Sequence, residues 1–135
     1  MTRLYMLDAD TCGFILRRSS PTLLDRIQAV PLQQQTVSVI TLAELLYGVQ
    51  VSSRKKANRA AVDALVRHLT LMDWPREAAE HYAEIRADLK RKGRLIGSND
   101  LLIGAHARSL GAVVVTNNVK DFGRVKGLEV QNWMA

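Results

Sequence analysis

Directly after a helix-closing glycine, Gly111, stands the run Ala112-Val113-Val114-Val115-Thr116. A β-branched run this short and this apolar fits a strand buried on both faces, the condition of a parallel sheet covered by helices on either side. The same alternation recurs along the chain. Leu4-Tyr5-Met6-Leu7 predicts a short buried strand ending at Asp8, with Phe14 to Leu16 in the helix that follows. Ser20-Pro21 predicts a helix start, serine capping and proline at the first helical position. Thr36-Val37-Ser38-Val39-Ile40 predicts a second strand and Thr41 the next helix start; Leu42, Leu45, Leu46 and Val49 then share one helical face, with Glu44 pointing away. A helix is predicted from Arg54 to Leu69 with Ala57, Ala60, Ala61, Ala64, Leu65 and Leu69 inward, another between Pro75 and Gly93, a central one over Leu101 to Leu110, and an edge strand at Leu128 to Val130. Short apolar strands alternating with helices imply an α/β fold, a mainly parallel central sheet flanked by helices in three layers, within one domain spanning residues 1–135. A ligand site in such a fold lies beyond the carboxyl ends of the strands.

Composition narrows the function. The chain of 135 residues is long enough to bury a core without disulfides or a structural metal, and its 47% apolar content excludes a disordered tail protein. No run approaches the roughly 18 apolar residues of a membrane span, and Asp8 and Asp10 interrupt the N-terminal segment Met1 to Leu16 where a secretory signal would be apolar, so a cytoplasmic protein is expected. Cys12, the single cysteine, reads as a small buried apolar residue. Nineteen Lys and Arg against thirteen Asp and Glu leave a charge of +6, which favours a polyanionic partner. The excess gathers in Arg54-Lys55-Lys56 with Arg59, in Arg86 with Lys90-Arg91-Lys92 and Arg94, and in Lys120, Arg124 and Lys126. Any one group alone reads equally as a solvated helix face or loop. The positions expected to contact a phosphate backbone are Arg86, Lys90, Arg91, Lys92, Arg94 and Lys120.

Four acidic segments sit where apolar runs give way to turns or helix starts: Leu7-Asp8-Ala9-Asp10, Thr41-Leu42-Ala43-Glu44, Ser98-Asn99-Asp100-Leu101 and Thr116-Asn117-Asn118-Val119-Lys120-Asp121. Carboxylates brought to one sheet edge repel by roughly 4 kcal/mol per pair at about 4 Å and an effective dielectric near 20, so a cluster of them calls for a cation. Oxygen donors without thiol or imidazole select a hard ion, Mg2+ or Mn2+, whose usual work is phosphate chemistry. Each acid also has a local reading. Asp8 is a possible helix cap, although Asp10 is the better placed one; Thr41 to Glu44 spells a capping box; and Ser98 would cap a helix carrying Asp100 in its first turn. Of the histidines, His106 shares a helical stripe with Leu102, Ile103 and Leu110 and reads as core, while His68 and His81 have no ligand spacing.

The strings Met6-Leu7-Asp8, Ser38-Val39-Ile40-Thr41-Leu42-Ala43-Glu44-Leu45-Leu46-Tyr47-Gly48, Ile96-Gly97-Ser98-Asn99-Asp100-Leu101-Leu102-Ile103-Gly104-Ala105-His106-Ala107 and Val114-Val115-Thr116-Asn117-Asn118-Val119-Lys120-Asp121-Phe122, followed by Gly127-Leu128 and Asn132-Trp133, cover nearly the whole chain. With them the sequence resembles the PIN-domain ribonucleases, specifically the VapC toxins of VapBC toxin-antitoxin pairs. The resemblance implies a PIN-like fold and a catalytic metal, Mg2+ or Mn2+, held by Asp8, Glu44 and Asp100. The fourth acid does not transfer: many PIN domains have aspartate where this chain has Asn118, and the nearest carboxylate, Asp121, lies three residues on. Asp10 stands where the family often has asparagine, and Asp10, Asn118 and Asp121 are the candidates to complete the site.

What the resemblance further implies is an endoribonuclease toxin that uses a metal-activated water to hydrolyse structured RNA, tRNA among the candidates, leaving a 5'-phosphate. It also implies a homodimer and a small VapB-like antitoxin whose arginine would enter the acidic pocket. Two other readings stay open at the level of sequence. One is a PIN-like RNA-binding module with little or no activity. The other is a haloacid-dehalogenase-like phosphatase, suggested by Asp8-Ala9-Asp10 but short of that motif at Cys12.

Overall fold

The computed structural model describes residues 3–135; Met1 and Thr2, the start of the segment weighed as a leader, lie outside it. Five strands, β1 (Tyr5–Leu7), β2 (Gln35–Ser38), β3 (Thr70–Met72), β4 (Val113–Val115) and β5 (Val130–Gln131), form one sheet in the order β3-β2-β1-β4-β5. Every pairing is parallel, with Tyr5 opposite both Gln35 and Val113. Seven α-helices connect and cover the strands: α1 (Ala9–Arg17), α2 (Pro21–Ala29), α3 (Val39–Gln50), α4 (Lys55–His68), α5 (Ala78–Arg91), α6 (Ser98–Leu110) and α7 (Val119–Phe122). Among the described residues no helix is long and apolar enough to cross a membrane.

Period-two alternation divides the core between the two sheet faces. Met6 and Val114 point to one side and pack with Ile103 and Ala107 of α6 and Phe122 of α7, whereas Leu7, Val37 and Val115 point to the other and meet Cys12, Leu23 and Trp133. Each fully buried Leu, Val or Phe side chain contributes about 1.5–3 kcal/mol, which is how strands of three residues are held in place. A third cluster, Ile85, Leu89, Ile96, Leu101, Ala105 and Val125, fastens α5 to the outer side of α6. His106 and Cys12 are core residues with no exposed surface, as expected of a histidine on an apolar helical stripe and of a lone cysteine. Gly111 ends α6 at φ +66°, a left-handed conformation that a side chain would strain.

Several boundaries differ from the sequence reading, and each difference has a cause. The second strand stops at Ser38, and Val39 and Ile40 open α3 instead of continuing it. Ser38 Oγ accepts the Ile40 N–H at 3.1 Å, so a helix cap and burial together outweigh the strand preference of two β-branched residues. Asp8, rather than Asp10, caps α1, accepting the Thr11 N–H at 2.9 Å. Ser98 is the first residue of α6 and does not cap it. On α4 the inward face centres on Val62, while Ala57, Ala60 and Ala61 are exposed. The edge strand β3, largely exposed, carries no alternation that would have announced it.

Candidate metal and nuclease site

The chain leaves β1 toward β2 and β3 on one side and returns at β4 and β5 on the other, so strand order reverses at the β1–β4 pair. The carboxyl ends of β1 and β4 therefore border the crevice where a doubly wound sheet binds its ligand. Asp8 follows β1, Thr116 follows β4, and α3, which carries Glu44, follows β2. α6 runs beneath and delivers Asp100 from its first turn.

Asp8 is the deepest of the acids at 3% exposure. Burial raises its affinity for a proton, opposed by the Thr116 hydroxyl and the Thr11 backbone N–H, both donating to its carboxylate, while the Asp10 charge adds to the rise. With the helix beginning at Val39, Glu44 lies in the second turn of α3 and the Thr41 capping box does not form, which leaves its carboxylate free to face the site. Burial likewise pushes Glu44 up, the Asn99 side chain holds its charged form, and Asp8 and Asp10 repel it. Asp100 is pushed up to about 6, first by burial and then by the charges of Asp8, Glu44, Asp10 and Asp121. The acids named from sequence are thus drawn into one electrostatic neighbourhood. Among the described residues, however, no three His, Cys, Asp or Glu side chains form a ready-made metal-holding group. Mutual repulsion favours splayed carboxylates, and a bound cation would have to draw the partly exposed Glu44 and Asp100 side chains inward. The donors, all oxygen and all burdened by like charge, fit a hard divalent ion.

Asp10 is exposed in the first turn of α1. Asn118 is half-buried just before α7 and bonds to Asp121 inside it. Arg86, Lys90, Arg91, Lys92, Arg94 and Lys120 are all exposed, but not equally available. Arg86 stacks over Tyr82, and Asp88 lies 3.9 Å from Arg91 and 3.0 Å from Lys92, whereas Lys90, Arg94 and Lys120 form no ion pair among the described residues. A groove of about 450 Å³, lined by Asp10, Leu16, Glu44, Leu45, Val49 and Asn58 among others, opens beside the acids between α1, α3 and α4. Sequence reasoning missed Asn99 and Thr116 as orienting groups. The signal was their placement, one residue before an acid and one residue after the strand paired with the strand of Asp8.

The Asp100 environment has a consequence for stability. Below about pH 3.8 its carboxyl is protonated folded and unfolded alike; between 3.8 and about 6 the folded chain keeps a proton that the unfolded chain has lost, so stability falls as pH rises through that window and stays lower above it. At full strength this amounts to about 3 kcal/mol, which water reaching the half-exposed group reduces to ~1–2 kcal/mol. Asp100→Asn in the metal-free protein should therefore gain ~1 kcal/mol at about pH 7.5 and nothing at about pH 4, read from urea melts at both. Destabilisation at the higher pH would contradict this account.

The comparisons agree with this architecture. The family profile described as "PIN domain" matches residues 6–128. The chain is 38% identical over 130 residues to "Ribonuclease VapC2" of Haemophilus influenzae, covering 96% of this chain and 98% of that one. It is 37% identical to the "tRNA(fMet)-specific endonuclease VapC" of Salmonella typhimurium, covering 96% and 97%. Among solved structures, the crystal structure of DNA-bound VapBC from Salmonella typhimurium superposes with a TM-score of 0.92 at 36% identity, covering 98% of this chain and 99% of that one.

Proposed function

Because the chain belongs to the PIN domain family, and within it to the VapC ribonuclease toxins, we propose that it is a Mg2+- or Mn2+-dependent endoribonuclease acting on structured RNA. The observation that carries the metal-dependent reading is the convergence of Asp8, Glu44 and Asp100 on one neighbourhood, in which Asp8 raises the proton affinity of Glu44 and of Asp100 and Glu44 raises that of Asp100. These three residues would hold the ion. When bound, a divalent ion supplies activation of water and neutralisation of charge developing on the phosphate. The protein's part is to orient the acids: Thr11 and Thr116 fix Asp8, and Asn99 fixes Glu44. Lys90, Arg94 and Lys120, exposed and without ion-pair partners among the described residues, hold the RNA backbone by charge alone. Water adds to phosphorus as the 3' oxygen leaves and takes a proton, giving a 5'-phosphate and a 3'-hydroxyl.

A tRNA-type substrate is supported by the name of the Salmonella relative, and a VapB-like antitoxin by the VapBC complexes that the chain resembles. The groove beside Asp10 and Glu44 suits that partner, since its apolar walls take an aliphatic segment and its acidic end takes a guanidinium. Tyr47 and Val51, one turn apart and mostly exposed at the end of α3, supply apolar surface for a homodimer. The cytoplasm, where RNA and antitoxin are made, is the proposed location. Family membership removes the phosphatase reading, and a binding module without activity is separated by experiment. Purified protein incubated with total RNA should cut it in Mg2+ or Mn2+ and stop in excess chelator. Cleavage that persists in chelator defeats the metal-dependent mechanism, and RNA bound but never cut favours the binding module.

A further inference from the structure

We propose that Arg17 and Lys55, on the two walls of the groove that opens beside the acids, form a phosphate clamp for the substrate RNA, in addition to Lys90, Arg94 and Lys120. This rests on the reading above that the chain cleaves RNA at Asp8, Glu44 and Asp100.

The groove between α1, α3 and α4 is ordered by charge along its length. On α1, Asp10, Gly13 and Arg17 line it at helical spacing and so share one face. The rise from Asp10 to Arg17 is about 10 Å. On α4 the lining residues Val62 and Asn58 continue back to Lys55 at the same spacing, one turn beyond the groove mouth. α3 carries Glu44 in its second turn and ends at Gln50, and residues 51–54 lead from there into α4, so Lys55 belongs to the end of the groove remote from Glu44. Lys56, the next residue, is turned by about 100° around the helix and leaves that face.

Both cations are exposed and form no ion pair among the described residues, whereas Arg59 on α4 is taken by Asp63 at 3.0 Å. Arg17 is settled within the groove. Its guanidinium lies 5.0 Å from the centroid of the Phe14 ring, and a Cβ at position 13 would stand 3.1 Å from Arg17 Nη1, so the bare glycine leaves the space that the guanidinium fills. Lys55 works against its own helix. α4 opens without a side-chain cap and without an acid in its first turn, so Arg54, Lys55 and Lys56 crowd positive charge at the positive end of the helix dipole. An anion bound there relieves that repulsion. The inhibitor's guanidinium accounts for the acidic end of the groove but gives the basic end no partner. A polyanion accounts for both, with its scissile phosphate at the acids and their ion and a neighbouring phosphate between Arg17 and Lys55.

Fluorescein-labelled bulk tRNA, titrated by anisotropy in Mn2+ into the Asp8→Asn chain, measures this grip apart from cleavage. Each phosphate contact adds about 0.7–0.9 to the slope of log affinity against log salt. Arg17→Gln and Lys55→Ala in that background should each lower the slope by about that amount and weaken binding about fivefold at ~0.1 M salt, and together about thirtyfold. Lys56→Ala, off the groove face, should stay within about twofold. Lys55→Glu should weaken binding while raising the urea midpoint, because an acid suits the start of α4, and a merely structural lysine would not separate the two. In the natural chain Arg17→Gln and Lys55→Ala should raise KM for tRNA cleavage about fivefold and hold kcat within about twofold, since they touch a phosphate beside the one that reacts. Unchanged affinity and slope in both single variants overturns the clamp and leaves the groove to a protein partner. A loss on Lys56→Ala equal to that on Lys55→Ala also overturns it, reducing Lys55 to general positive charge. If tRNA neither binds the Asp8→Asn chain nor is cut by the natural one, the RNA reading itself fails, a result distinct from the other two.

Discussion

Asp8→Asn should reduce divalent-dependent RNA cleavage by at least roughly 10²–10³-fold, the cost of removing one buried charge aimed at a developing one. The same change should leave the metal-free fold at least as stable. The substitution is isosteric, and the asparagine Oδ1 still accepts the Thr11 N–H that caps α1. Its Nδ2 then lies beside Thr116, whose hydroxyl rotates to accept. What disappears is a charge at 3% exposure, whose desolvation outweighs the hydrogen bonds that favour it. Activity and stability therefore move in opposite directions, and that opposition distinguishes a functional carboxylate from a cap. Single-turnover cleavage in Mn2+ beside urea melts of the same preparations gives both readings. A variant that still cuts within about threefold, or one that loses more than ~2 kcal/mol, would assign Asp8 to α1 alone.

Part of this candidate site could be read in the sequence because Asp8 and the Asn117-Asn118 pair follow apolar runs. Asp8 after Met6-Leu7 and Asn117-Asn118 after Val113-Val114-Val115 mark the carboxyl ends of two strands, and in a parallel sheet those ends lie together. Position along a strand was thus enough to predict proximity. The helix starts were harder. Local hydrogen-bonding patterns such as Thr41 to Glu44 are satisfied on paper wherever they occur, but which hydroxyl caps is decided by where the preceding strand stops. Ser38 won because its Oγ serves two ends, the Ile40 N–H and the His106 ring at 2.9 Å, and the second of these comes from 68 residues away. No window of local sequence contains that contact. The orienting roles of Asn99 on Glu44 and Thr116 on Asp8 were invisible for the same reason, since each joins elements that meet only in the folded sheet. The basic groups illustrate the converse. Charge counting named Arg86, Arg91 and Lys92 as readily as Lys90 and Arg94, but the stack on Tyr82 and the ion pairs with Asp88 depend on the helical spacing of α5.

The largest stability effect should come from the end of the chain. Trp133 lies two residues from the C-terminus yet has no exposed surface, packing with Leu7, Leu23, Val37 and Val115 on the sheet face opposite α6. Its ring meets Tyr5 at 5.2 Å between centroids and lies under the Arg26 guanidinium at 5.3 Å, and its Nε1–H donates to Gln131 Oε1 at 2.9 Å. A terminal residue ordinarily frays, and this one is held by a buried aromatic face on one side and a satisfied polar edge on the other. Truncation to alanine removes the largest buried side chain behind β1, and the sheet cannot collapse into the space without moving the strand that ends at Asp8. Trp133→Ala is therefore expected to cost ~3–5 kcal/mol, a large part of the roughly 5–15 kcal/mol available to a domain of this size. Trp133→Phe, which keeps the ring contact and loses the Gln131 bond, should cost about a third as much. Urea denaturation of both variants measures this directly. A loss below ~1 kcal/mol for the alanine variant would mean that the C-terminal segment leaves the sheet freely and that Leu7 and Val37 are covered without it.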